Sequence, residues 1–512
     1  MDCINTVAAT RDKGFIVGGN DQITSSDAQI RIVKVDSIGN VTWAKKILHY
    51  SNGSDNVYDI KPTSDNGYIC AGHLRDTVQP GPWEMRNKLS LIKLDSQGTV
   101  QWVKAYLPDT SSTSVLIDNT IVSRNLFRVT ELGNGGYIAA CQVMRNNNYS
   151  YLVIRTTANG SPIWVKTFES YYPFANVYSF SNLDHWYDGA TEKGVILVGS
   201  MLDTTVNSGI GNIVLLKIDL NGNLIWEKIY GTVLNSFGTD VKQTADGGFI
   251  ICGKPGLSAF NGPALIKTDS AGNIVWSKVY YNGNNYIYPY AITVTDFGHY
   301  AITGIIQNPS VDIFLLVTDS LGNPLHGRYY GGVLDEYGFD ITSTTDGGLA
   351  FAGHTQSYGF YPNGILIKTD SSGRIPCYSD NILFLDTLCT FTTFSRSIEN
   401  PLTVFSYIPP TMPQTPPTTD SILCTTLSIS SWQYGQPCLL ITPNPSDGIF
   451  QLQTGDRQTI GVQIVVYNLL GEEIKAFQLT QNEADLRELP RGIYIIKAVT
   501  DTRVYSQKVI IH

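Results

Sequence analysis

Seven histidines, at 49, 73, 185, 299, 326, 354 and 512, are the side chains best suited to acid–base or metal chemistry near neutral pH. None falls in the His-Glu-x-x-His spacing that would place two imidazoles around zinc on one helical face. No Gly-x-Ser-x-Gly elbow presents a serine nucleophile, and no Gly-x4-Gly-Lys-Ser/Thr loop cradles a phosphate. Carboxylates recur instead. Asp36, Asp95, Asp219, Asp269, Asp319 and Asp370 each begin an Asp-x-x-Gly segment. A ring of acids is the tempting reading, but a carboxylate at that place in a tight turn caps the turn's own N–H groups. Glycoside hydrolysis needs a pair of acids about 5–9.5 Å apart. Asp184, Asp188, Asp335 and Glu336 are the acids to nominate for it, and each reads first as a loop cap.

A second set of residues suits binding rather than catalysis. Seven equivalent positions hold Asn20, His73, Gln142, Ser200, Lys254, Ile305 and His354, six of them polar. Aromatic and amide-rich segments flank them, with Tyr172, Trp186, Tyr286 and Tyr288 among the rings. Aromatic faces beside hydrogen-bonding amides suit the C–H faces and hydroxyls of sugars, or a protein partner. The candidate ligand-binding face is therefore Asn20, His73, Gln142, Lys254, His354, Tyr172 and Trp186. The plainer alternative is a low-charge surface covered by Tyr and Asn.

The elements that must position these residues come from an internal repeat. One half reads GFIVGGN (14–20), GYICAGH (67–73), GFIICGK (248–254) and GLAFAGH (348–354). The other reads IVKVDSIGNVTWAK (32–45), LLKIDLNGNLIWEK (215–228) and LIKTDSAGNIVWSK (265–278). There are seven copies. Trp43, Trp102, Trp164, Trp226 and Trp276 mark a period of 50–62 residues, with His326 and Pro376 in register after them. The short runs of Ile, Val and Tyr bounded by Asp/Asn/Gly turns predict strands, four to a copy, here named A to D. Four-stranded units of about 50 residues are the arithmetic of a β-propeller blade. The A–B and C–D turns lie on one face and are short and alike. The B–C and D–A connections lie on the other face and vary, which makes that face the place for function. The repeated Trp read as packing between blades rather than as sugar platforms.

The fold expected is all-β: a seven-bladed β-propeller of four-stranded blades over 1–379, a linker, and a small C-terminal β-sandwich over 439–512. Residues 380–438 are rich in Thr, Ser and Pro and read as a cysteine-containing linker or β extension. Cys377, Cys389, Cys424 and Cys438 bracket that stretch and suit disulfides, with three pairings open. Cys70, Cys141 and Cys252 sit near the ends of strands B as small core residues, and Cys3 is left over. No spacing suggests zinc, and no cofactor is expected.

Composition narrows the classes. Charged residues are 15%, the net charge is −9, and there are 29 Tyr and 47 Gly. That balance argues against disorder, and an acidic field repels nucleic acid. No stretch approaches the roughly 18 apolar residues of a membrane helix.

The last 70 or so residues carry a resemblance. ThrProAsnProSerAspGlyIlePhe (442–450) is followed by Tyr-Asn-x-x-Gly (467–471), Leu-x-x-Gly-x-Tyr (489–494) and GlnLysValIleIle (507–511). In this order they resemble the C-terminal sorting domain of type IX secretion substrates of Bacteroidota. The matching positions are Pro443, Asn444, Pro445, Gly448, Tyr467, Gly471, Gly492 and Tyr494. The resemblance implies export to the cell surface or the medium. It implies partners in the secretion machinery: an outer-membrane translocon, a shuttle and a sortase. Met1-Asp2-Cys3 is not a basic start leading into an apolar stretch, so the resemblance also implies a signal peptide absent from this sequence. The function expected is a secreted or surface non-enzymatic binding protein, with a glycan-active hydrolase or lyase, or a structural scaffold, as alternatives.

Overall fold

The structure, a computed structural model, describes residues 2–24, 27–47, 55–76, 86–108, 115–116, 127–145, 148–169, 179–203, 210–231, 235–256, 262–283, 285–307, 309–357, 363–375, 380–381, 385–388, 392–394, 399–401, 404–407, 440–442, 448–453, 462–468, 473–479, 483–499 and 504–511. These residues are all strand, turn or irregular chain, with no helix among them. The chain divides into two compact units, 1–423 and 424–512.

The first unit is a seven-bladed β-propeller. Its antiparallel blades span 2–47, 56–108, 127–169, 179–231, 237–281, 287–330 and 336–369. Strands A to D follow chain order in each, and the seventh shows three strands among the described residues. The core lies in layers between neighbouring blades. Blades 3 and 4, for example, enclose Ile138, Val153, Phe168, Phe180, Leu197 and Leu216.

The repeat residues lock one blade to the next. The Asp of each C–D turn does cap it: Asp219 Oδ1 accepts N–H bonds from Asn221 and Asn223, both at 2.8 Å. Each Trp lies on the C–D turn glycine of the following blade. Gly222 shows why glycine is needed there: its φ is +73°, and a Cβ would meet the Trp164 ring at 3.0 Å and Lys166 at 2.9 Å. The hydroxyls of Tyr106, Tyr230, Tyr280 and Tyr330 donate to the carbonyls of Gly160, Gly272, Gly322 and Gly373 in the next blade at 2.5–2.8 Å. The repeated Trp are therefore inter-blade packing, as the sequence implied, and the strand-D Tyr join them there.

Within blades, a strand-C lysine pins the A–B turn. Lys34, Lys93 and Lys267 are buried, and pair with Asp12, Asp65 and Asp246 at 2.7–2.8 Å. Burial opposes ionisation of Asp65, but bonds from Lys93, Thr63 and the Gly67 N–H carry its pKa down to about 2. Blade 4 has no such aspartate. There Lys217 Nζ lies 4.0 Å from the Trp186 ring centroid and donates to the Ser270 carbonyl at 3.1 Å.

The stretch after blade 7 has a use in the propeller. Asp380–Asn381, Leu385–Leu388, Thr392–Phe394, Glu399–Pro401 and Val404–Tyr407 pair with the outer strands of blades 6, 5, 4, 3 and 2 respectively. The described part of the expected linker, within 380–407, thus returns around the rim as a strap, adding a fifth strand to five blades; 408–438 lie outside the described residues. It covers edges whose free N–H and C=O groups would otherwise pair with other chains.

The second unit is a small sandwich. One sheet orders Leu440–Thr442, Ile449–Gln453 and Glu483–Asp485; the other orders Glu473–Gln478, Gln463–Tyr467, Gly492–Val499 and Val504–Ile511. Phe450, Ile464, Val466, Leu486, Ile496 and Val509 fill the core between them.

Candidate functional site

Strand A of every blade faces the axis, and six of the seven carry a register shift. The bulges fall between Val57 and Asp59, Pro289 and Ala291, and Gly338 and Asp340. An extra residue re-aims its side chain out of the ladder. Tyr58, Tyr290 and Phe339 are those residues, at the end of the channel nearest the variable connections.

They belong to an arc of rings around that mouth. Lys254 Nζ lies 3.7 Å from the Tyr286 ring centroid and 5.7 Å from that of Tyr288. Tyr288 and Tyr290 are 5.2 Å apart, and Tyr290 meets Phe339 edge-on at 5.5 Å. His354 stacks on Tyr337 at 4.5 Å and lies 5.3 Å from Phe339. Its Nδ1 is 3.9 Å from Cys3 Sγ in blade 1. Asn5 Nδ2 then donates to Asn56 Oδ1 at 2.8 Å, and Tyr58 stacks between His73 and Phe127. The arc runs from blade 5 through blades 6, 7, 1 and 2 to blade 3. Tyr286 is exposed and Tyr58, Tyr288, Tyr290 and Tyr337 are half-buried; burial pushes the Tyr288 phenol up in pKa.

Of the candidate residues, Lys254, His354 and His73 lie in this arc. Asn20 is half-buried and pairs in register with Cys3. Gln142 is fully buried; its Oε1 accepts the Phe180 N–H at 3.2 Å, and its Nε2 has no partner. Tyr172 lies outside the described residues. Trp186 sits elsewhere: strand A of blade 4 runs Ser179–Asp188, Ser179 pairs with Ser200, and Trp186 pairs with Gly194 at the far end. That is about 20 Å from the mouth at about 3.3 Å per residue. The reason is strand length, since 179–188 continues as strand where a loop was expected. Trp186 Nε1 donates to the Ile218 carbonyl at 2.8 Å, which completes its part in the Lys217 contact. Tyr58, Tyr290, Tyr337 and Phe339 were missed; Tyr58 and Phe339 directly precede Asp59 and Asp340, a repeated pair that signals the bulge.

Below the arc the A strands exchange hydrogen bonds around the axis. Asp59 Oδ2 accepts the Val129 N–H and Asp240 Oδ2 the Ile292 N–H, both at 2.9 Å. Arg128 Nε donates to Asn182 Oδ1, and Asn182 Nδ2 to Asp240 Oδ1. Asp340 Oδ2 accepts from Thr6 Oγ1 and the Val7 N–H, both at 2.9 Å, and so joins blade 7 to blade 1. Lys61 and Lys242 pair with Asp59 and Asp240 at 3.0 and 2.9 Å. An axial cavity of about 240 Å³ lies against this ring.

Three of the four nominated acids accept backbone N–H bonds, Asp184 and Glu336 from strands rather than from loops, and Asp188 ends its strand opposite Thr191. Asp184 accepts the Gln243 N–H, Asp335 the Val311 N–H, and Glu336 the N–H groups of Gly332 and Ser357. Among the described residues, no group of three or more His, Cys, Asp or Glu gathers to hold a metal. Cys3, Cys70, Cys141 and Cys252 form no disulfide; burial pushes the last three up in pKa. Cys377, Cys389, Cys424 and Cys438 lie outside the described residues.

In the sandwich, Gly448 has φ +104° and a Cβ there would lie 2.9 Å from Arg487 Cα, while its carbonyl accepts the Leu486 N–H at 2.7 Å. Tyr494 OH donates to the Pro490 carbonyl at 2.7 Å, closing the turn before Gly492. Tyr467 ends its strand opposite Glu473 and Ile495. Pro443, Asn444, Pro445 and Gly471 lie outside the described residues.

Residues 440–512 match the secretion system C-terminal sorting domain. The protein is thus a propeller exported as a type IX secretion substrate, destined for the cell surface or the medium. Among the described residues no helix is long and apolar enough to cross a membrane. No curated protein matches the chain. Solved structures similar to it include PorZ, an essential bacterial surface component of the type IX secretion system of Porphyromonas gingivalis. That pair is 10% identical over 99% of this chain and 81% of PorZ, with a TM-score of 0.25. A glycosyl hydrolase from Bacteroides ovatus is 9% identical over 66% of this chain and 89% of that one, also with a TM-score of 0.25. The blade count rests on the sheets themselves.

Proposed function

We propose that this is a non-enzymatic binding protein of the cell surface or medium, adhesin-like, which takes a glycan or protein ligand at the variable-face mouth. The observation that carries this reading is the arc from Lys254 to His354. Exposed Tyr286 and half-buried rings stand beside a cation and an imidazole, an arrangement that suits sugar C–H faces and hydroxyls or the aromatic anchors of a partner. The test is a glycan array and a surface-protein pull-down with the full chain, run beside Tyr288→Ala and Tyr337→Ala. Binding that falls at least tenfold in both variants supports the mouth as the site. Binding unchanged in both removes it.

A further inference from the structure

The strap runs backward around the rim. The blades were laid down in the order 1 to 7, and the strap visits 6, 5, 4, 3 and 2. Each of its strands has only two to four residues, and at most four residues separate one from the next. Among the described residues each pairs on one side only, with the later half of an outer strand: Leu385–Leu388 lies opposite Lys278–Tyr281, and Glu399–Pro401 opposite Lys166–Phe168. Each outer strand is also paired along its other edge with strand C of its own blade. The strap's last strand, on blade 2, is the one nearest in sequence to the sorting domain.

We propose that residues 380–407 are a peelable strap, a length of stored chain that pays out toward the C-terminal domain under load without opening the ring. Of the described strap strands, the blade-2 strand is the first that a pull from the C-terminal side reaches. The blade-3 strand carries nothing until Val404–Tyr407 has left, and the same holds at each later blade. Detachment is therefore sequential, in steps of five to seven residues, about 17–25 Å each. Such one-sided strands belong to the low-stability end of local opening, whereas the blades lose their cores only on global unfolding. All 28 residues released give roughly 90–100 Å of chain.

Single-molecule force extension of the full chain, held at its two ends under reducing conditions, tests this. The expected record is a set of small, low-force steps before any blade unfolds that together free about 90–100 Å of contour length. A lock gives the position. Lys278 and Leu388 are register partners, so Lys278→Cys with Leu388→Cys ties the strap to blade 5. Cys377, Cys389, Cys424 and Cys438 are replaced by Ser in that background. When oxidised it should pay out only 389–407, about 60–70 Å, and reductant should restore the rest. Extension that first appears with blade unfolding, or that the lock leaves unchanged, overturns the proposal. Hydrogen exchange of the wild-type chain is a second measure needing no variant. Protection should rise from Val404–Tyr407 through to Asp380–Asn381, and protection equal to that of the strand-B cores all along the strap overturns it.

Discussion

Trp186 and Lys217 show how one residue's surroundings decide its role. The ring stands where other blades supply an aspartate, and the ammonium lies on its face. Trp186→Ala should destabilise the propeller by roughly 2–3 kcal/mol, somewhat below the range for a fully buried Trp, and leave ligand binding at the mouth unchanged. Denaturant titration with a binding assay checks both halves. The aspartates of the other blades make a pH prediction. Asp65 and Asp346 are carried down to about 2, because hydrogen bonds and a lysine outweigh the opposing effect of burial. A depressed folded pKa contributes stability that is present above the ordinary carboxylate value and lost as pH falls through the folded one. Unfolding free energy should therefore fall between about pH 4 and pH 2, and Asp65→Asn should flatten that slope. The six polar positions that close strand B were legible as a set, but their fates were not. Gln142 is sealed between blades, while Lys254 reaches the mouth, and only the neighbouring blade distinguishes them.

At the scale of elements, the turn is the unit that repeats and the turn is what the next blade grips. Gly222 has both a left-handed φ and the Trp164 ring above it, whereas Gly247 has φ +78° with nothing within 4 Å of a Cβ. Gly222→Ala should cost about 2–4 kcal/mol and Gly247→Ala about 1–2 kcal/mol, the difference being the clash. Thermal or chemical denaturation of the pair resolves it. The strands and turns were readable because Asp-x-x-Gly and the alternating Ile/Val runs act locally. The bulges on strand A were not, since they appear only when a strand is laid against its partner. They place Tyr58, Tyr290 and Phe339 at the mouth, so the aromatic arc escaped a reading confined to loops.

For the whole molecule, the seam between blades 7 and 1 is the informative place. Gly39 in blade 1 has no ring upon it, unlike its counterparts from Gly98 to Gly322. The seam is closed instead by Asp340 bonding Thr6 and Val7, and by a small core of Val7, Phe15, Val17, Ala350 and Ala352. Asp340→Ala strips an acceptor from a buried N–H and a hydroxyl and should cost roughly 2–4 kcal/mol. Amide exchange should then quicken in blades 1 and 7 before the others; uniform quickening would argue against a seam. The sequence by itself determined the blade count, the paired faces of the ring and the export tail. All three are written in local pattern: turn chemistry, strand alternation and a run of motifs in order. Only the tertiary structure decided which rings meet at the mouth, where Trp186 stands, and that a Pro/Thr-rich stretch straps five blades. Those depend on chain segments hundreds of residues apart, whose pairing is set by which edges closure of the ring leaves free.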